Sequence, residues 1–154
     1  MDTIKIRKML RIAFVIYIIA VISLTFIVRE TMVLRLPDSR GVILAPFRDV
    51  QAMIECPNHK FWFMQIFLNV LFFVPLGFLL PFMNKRFNDP VIVTVTGFLF
   101  SFGIESMQFI TSRGVTEIDD IINNTLGAFI GFVAYTVFLA LFPQLRELSQ
   151  KQHS

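Results

Sequence analysis

Residues 118–142 read IDDIINNTLGAFIGFVAYTVFLALF. At about 1.5 Å of rise per residue, this stretch is long enough to cross the roughly 30 Å hydrocarbon core of a bilayer as one helix. Its strongly polar residues, Asp119, Asp120, Asn123 and Asn124, crowd the first two turns, and everything after them is apolar or weakly polar. The apolarity is continuous, which excludes the alternating pattern of a barrel strand. Working outward, three more stretches of this kind appear at Val91–Ile110, Phe63–Met83 and Ile12–Val28. Together they predict an all-α membrane protein: a four-helix transmembrane bundle making a single domain over residues 1–154.

The composition agrees. Hydrophobic residues make up 55% of the chain and charged residues 16%, against about 25% charged in an ordinary soluble domain. Mean hydropathy is +0.69. A 17.8 kDa soluble globule has too little interior to hide that much apolar surface, and a disordered chain would be far more polar. The single Cys56 excludes an internal disulfide. Cys56-x-x-His59 supplies too few ligands for a zinc site, so neither a metal nor another cofactor is expected. The pI of 9.4 is accounted for by the positive-inside rule and anionic lipid rather than by nucleic acid.

The distribution of Lys and Arg predicts orientation. Lys5, Arg7, Lys8 and Arg11 precede the first span, Lys85 and Arg86 lie in the short connection after the second, and Arg146 and Lys151 follow the fourth. The short connection after the third span carries only Arg113. This bias places both termini in the cytoplasm. No small-residue cleavage site follows the first apolar run, so it reads as an uncleaved anchor. The long Arg29–Trp62 segment is then an outer loop. Within it, Val42–Phe47 is too short to span and is expected to dip into the interface or pack over the bundle mouth. Phe47–Glu55 reads as a short interfacial helix.

Among all Lys, Arg, Asp and Glu residues, only Glu105, Asp119 and Asp120 fall within the four spans. Ionisable groups inside a membrane are costly, which makes them functional-site candidates. By helical rise, Asn69, Glu105 and Asn123 all lie roughly 8–9 Å below the outer surface. Three helices thus place polar groups in one layer, with Arg113 above it. Ser101, Glu105, Gln108 and Ser112 share one stripe of the third span. Asp120, Asn123, Asn124, Gly127 and Gly131 share one side of the fourth. A carboxylate at the depth of Glu105 must pair, protonate or line water. Asn69, Asn123 and Asn124 also suit interhelical hydrogen bonding. Thr116-Glu117-Ile118-Asp119 fits a helix capping box, a structural account of Glu117 and Asp119. Gly127-x-x-x-Gly131 admits close helix packing, and Pro75-Leu76-Gly77 predicts a kink in the second span.

These residues resemble a known family. Asn69-Val-Leu-Phe-Phe-Val-Pro-Leu-Gly-Phe-Leu-Leu-Pro81, Glu105-Ser-Met-Gln108, and Arg113 followed by Asp119-Asp-Ile-Ile-Asn-Asn-Thr-Leu-Gly-Ala-Phe-Ile-Gly131 are similar to the VanZ-like membrane proteins. Ala45-Pro46-Phe47 resembles that family's Ile-Pro-Phe segment, with Ala in place of Ile. The resemblance implies a four-span protein of the bacterial cytoplasmic membrane, in a family whose namesake is associated with glycopeptide resistance, teicoplanin in particular.

Three functions follow as expectations. The first is a binding or resistance factor. In it, Asn69, Glu105, Gln108, Arg113, Asp120, Asn123 and Asn124 form an outward-facing pocket for a membrane lipid, a lipid-linked cell-wall precursor or a lipoglycopeptide. The second is an enzyme acting on a lipid or envelope polymer, with Glu105 as general base and Asp119 or Asp120 in support. No catalytic triad or metal motif accompanies them. The third is a small transporter subunit, which the uncharged cytoplasmic halves of the spans disfavour.

Overall fold

The computed structural model describes residues 3–25, 41–111 and 115–146. Helix α1 (Thr3–Ser23) is followed by the two-residue strand β1 (Val42–Ile43), helix α2 (Arg48–Glu55) and helix α3 (His59–Met83). A single tight helical turn at Lys85–Asn88 leads into α4 (Pro90–Thr111). Strand β2 (Thr116–Glu117) then precedes α5 (Ile118–Leu141). Among the described residues the regular structure is helical apart from β1 and β2, which pair in parallel with Val42 opposite Thr116 and Ile43 opposite Glu117.

Helices α3, α4 and α5 are each long and apolar enough to cross a membrane. Their outward faces expose Phe63, Phe67, Val95, Phe102, Phe129 and Val133, a surface suited to hydrocarbon and not to water. The first span was expected from Ile12. The described helix begins earlier, at Thr3, and carries Lys5, Arg7, Lys8 and Arg11 within it. The expected end of that span, residues 26–28, lies outside the described residues. Helix α1 packs Phe14, Tyr17, Ile18 and Val21 toward the core. The Tyr17 hydroxyl donates to the Phe72 carbonyl at 2.7 Å. That carbonyl neighbours Leu71, whose own helical donor is removed by Pro75. Helix α3 continues as one helix through Pro75 and Pro81.

The closest packing is between α3 and α5. A Cβ on Gly127 would lie 2.2 Å from the Val70 carbonyl oxygen, and one on Gly131 would lie 2.0 Å from that of Val74. Small residues let the two backbones touch, which substitutes for the hydrophobic driving force that lipid removes. At the opposite end from the strand pair, Phe78, Phe82 and Phe132 surround Tyr135, with ring centroids 5.0–6.5 Å away. The Tyr135 hydroxyl donates to Asn88 Oδ1 at 2.7 Å, which fastens the Lys85–Asn88 turn to α5.

Candidate functional site

The polar residues meet where the first half of α3, the last two turns of α4 and the first turns of α5 converge beneath α2 and the strand pair. Asp119 sits in the first turn of α5. Its Oδ1 accepts from the Phe47 amide at 2.6 Å and its Oδ2 from the Asp49 amide at 2.8 Å. These amides belong to the start of α2, so a carboxylate from α5 caps a helix some 70 residues earlier. The two oxygens take up amide donors that a helix N-terminus otherwise leaves open. Phe47 is held there with φ 62°, and it is the one non-glycine residue with positive φ among the described residues. A left-handed backbone costs of order 1–2 kcal/mol, and the bonds from the Phe47 and Asp49 amides to Asp119 hold the chain in it.

The capping-box reading is therefore corrected. Glu117 occupies the N-cap position of α5 without a side-chain cap bond, and Asp119 serves α2 instead. Thr116 Oγ1 donates to the Glu105 main-chain carbonyl at 3.2 Å. Glu105 Oε2 accepts from the Glu117 amide at 3.2 Å. One residue of α4 thus ties down both residues of β2. The geometry gives Asp119, a catalytic candidate by sequence, a supporting task beside the cavity. Asp119→Ala should unfasten α2 at a cost of about 0.5–2 kcal/mol. Hydrogen exchange is expected to accelerate at residues 49–52, while Asp119→Asn, which keeps one oxygen, gives a smaller change.

Asn69 Nδ2 donates to Asp120 Oδ1, joining α3 to α5. Asn124 Nδ2 donates to Ser101 Oγ at 2.9 Å, joining α5 to α4. Glu105 and Asp120 are each 2% exposed and Gln108 is fully buried. Asn123 is also buried. Arg113 lies outside the described residues.

A cavity of about 610 Å³ lies against this cluster. Asn69, Glu105, Glu117, Asp120 and Asn124, with Gln65 and Thr25, supply its polar side, while Val21 of α1 and Leu24 just beyond it, with Leu68 and Phe72, supply its apolar wall. Asn123 and Gln108 are not among its lining residues.

Asp49 belongs to the same centre and was not singled out from the sequence. It is 1% exposed, and carboxylate oxygens of Asp49, Glu117 and Asp120 lie within 4.8 Å of one another. In a lone eight-residue helix its charge reads as part of a solvated face. The only local signal is that Asp49 falls on the opposite side from Phe47, Val50 and Ile54, which are exposed. The three carboxylates form an oxygen-only donor set of the type hard cations accept, with fewer ligands than the roughly six to eight of a calcium site.

Fold and site together define a class: a helical membrane protein that buries carboxylates and carboxamides beside a cavity at one end of its bundle. Within that class the chain belongs to the VanZ-like family, since the family model described as VanZ/LLP1 matches residues 14–139. Protein VanZ of Enterococcus faecium is 36% identical over 75 residues. That match covers 47% of this chain and 45% of the relative, so the chain spans less than half the length of the curated relative it matches. No solved structure matches the chain.

Proposed function

We propose that this chain is a four-span protein of the bacterial cytoplasmic membrane with both termini inside the cell. Its outward-facing polar cavity engages the headgroup of an amphiphile of the cell envelope and thereby contributes to glycopeptide resistance of the teicoplanin type. The observation that carries this reading is the cavity itself. Asn69, Glu105, Glu117, Asp120 and Asn124 converge on one space from α3, α4, β2 and α5, and apolar side chains complete it. A few fixed polar groups on an apolar wall are the general make-up of a small-molecule site. Ionisable groups at membrane depth are costly, which marks them as candidates for a functional role. Membrane lipids, lipid-linked wall precursors and lipoglycopeptides share the required build, a polar end joined to hydrocarbon. Arg113, by its place in sequence, supplies a cation for a phosphate or carboxylate on that polar end. The span of α1, the orientation and the resistance role are supported by the distribution of Lys and Arg and by the family resemblance.

The test is teicoplanin susceptibility in a sensitive host expressing wild type, Asn69→Ala, Arg113→Ala or Asp120→Asn at matched protein levels. Protection is expected to fall several-fold in each variant. Unchanged protection in all three would remove the cavity as the basis of resistance. Lipid and cell-wall profiles from the same strains separate binding from catalysis. A covalent product that appears only with the wild-type protein would mark the site as an enzyme's.

A further inference from the structure

The polar cavity is graded from rim to inner end. Its lining residues Leu24, Phe61, Met64, Leu68 and Phe72 are exposed, whereas Glu105, Asp120 and Asn124 are buried. Exposure marks the mouth, and the mouth is apolar. Phe61, Met64, Leu68 and Phe72 recur at spacings of three and four, so they form one stripe of α3. Val21 of α1, with Leu24 and Thr25 just beyond that helix, lines the facing side. The mouth is therefore a slot between the first helix and α3. At the far end of the stripe the slot is closed, because the Tyr17 hydroxyl bond to the Phe72 carbonyl ties the two helices together.

From Phe61 to Phe72 the stripe runs about 16 Å along the helix axis, at about 1.5 Å per residue. An opening of that shape lies in the flank of the bundle, parallel to its helices. Helix α3 is long and apolar enough to cross a membrane, so the slot faces lipid along its length. Leucine, phenylalanine and methionine at the rim offer no strong hydrogen-bonding group. A ligand arriving from water would shed its hydration against that rim without replacement, whereas the chains of a lipid already lie beside it.

We propose that the polar cavity is filled sideways from the bilayer by a glycerophospholipid, which enters between the first helix and α3 and leaves an acyl chain along the Phe61–Phe72 stripe. This rests on the proposed function, to which it adds the entry route and the class of ligand. The headgroup crosses no protein wall, because rim and polar end belong to one continuous space. Gln65 and Asn69 flank the stripe on the same helix and line that space, so they lead from the rim to Asp120, which Asn69 holds. A phospholipid is favoured over the larger amphiphiles because about 610 Å³ is of small-ligand size and does not enclose a glycosylated peptide.

The test uses the full chain reconstituted in vesicles of phosphatidylethanolamine and phosphatidylglycerol. One set of vesicles is doped with a phosphatidylethanolamine that carries a photoreactive diazirine on its headgroup. A second set receives the same diazirine headgroup without acyl chains, as a glycerophosphoethanolamine dissolved in the buffer. Labelled positions are read by mass spectrometry. With the lipid probe, labelling of Gln65 and Asn69 should exceed that of Phe63 and Phe67, which are exposed on the same helix outside the cavity, by several-fold. The chainless probe should show no such preference. Filling the slot with Leu68→Trp or, as a second variant, Leu24→Trp should remove the preference while Phe63 and Phe67 label as before. A preference that survives both fillings overturns the lateral route. An equal preference with the chainless probe also overturns it, and leaves a headgroup site that is filled from water. No preference with either probe overturns the route and the headgroup site together.

Discussion

Replacing Gly77 with alanine is expected to abolish the native pairing of α3 and α5. A Cβ at Gly77 would stand 1.8 Å from the Ala128 carbonyl oxygen and 2.9 Å from the Phe132 amide nitrogen. Both obstacles are backbone, so no rotamer change can relieve the clash. The helices must separate, and the matching contacts of Gly127 and Gly131 with the Val70 and Val74 carbonyls open with them. Overpacking by one methyl group usually costs about 1–3 kcal/mol, occasionally more. Backbone against backbone places Gly77→Ala at or beyond the top of that range. Gly103 is the control, because a Cβ there meets nothing within 4 Å. Gly103→Ala should be neutral or stabilising by roughly 0.5–1 kcal/mol, through helix propensity alone. The midpoint of heat-induced aggregation in mild detergent reads both effects. Gly77→Ala should fall well below wild type while Gly103→Ala does not fall. Equal midpoints for the two variants would mean that the α3–α5 approach is not what holds the bundle.

This contrast also shows which features can be read before folding. Gly127-x-x-x-Gly131 announces close approach because its spacing is local to one helix. That Gly77 meets Ala128 depends on the register of two helices, which neither helix carries by itself. The three long apolar helices were legible for the same local reason: length and continuous apolarity are properties of a window. The strand pair was not, because two residues cannot display a period of two, and Val42 and Thr116 lie far apart in sequence. Their pairing is the physical content of the expectation that Val42–Phe47 packs over the bundle mouth. Asp119 was legible as a helix-terminal acid, but it caps a different helix from the one it starts. Depth arithmetic brought Asn69, Glu105 and Asn123 to one layer because helical rise is uniform, and of these Asn69 and Glu105 line the cavity while Asn123 does not. It could not bring in Asp49, which arrives through the fold of the loop and the left-handed turn at Phe47.

Glu105 is the position at which structure and function can be pulled apart. Its main-chain carbonyl and its carboxylate each hold one residue of β2, and it lines both the polar cavity and a second, apolar cavity of about 680 Å³ between α4 and α5. Glu105→Ala removes the side-chain acceptor of the Glu117 amide and joins the cavities. A buried donor left without its acceptor costs about 1–3 kcal/mol, and the space vacated by the side chain adds to that. The expected signature is a lower unfolding midpoint with faster hydrogen exchange at residues 116–117 and at the β1 residues that pair with them. Glu105→Gln has nearly the same shape and keeps an oxygen able to accept from that amide, so exchange at β2 and the unfolding midpoint should stay close to wild type. What glutamine cannot supply is a carboxylate. If the cavity engages the donor groups of a headgroup through this residue, Glu105→Gln loses most of the teicoplanin protection while remaining folded. Full protection in Glu105→Gln combined with loss in Glu105→Ala would assign Glu105 to holding the strand alone. The work of binding would then fall to Asn69 and Asp120, whose bond spans α3 and α5 on the other side of the same cavity.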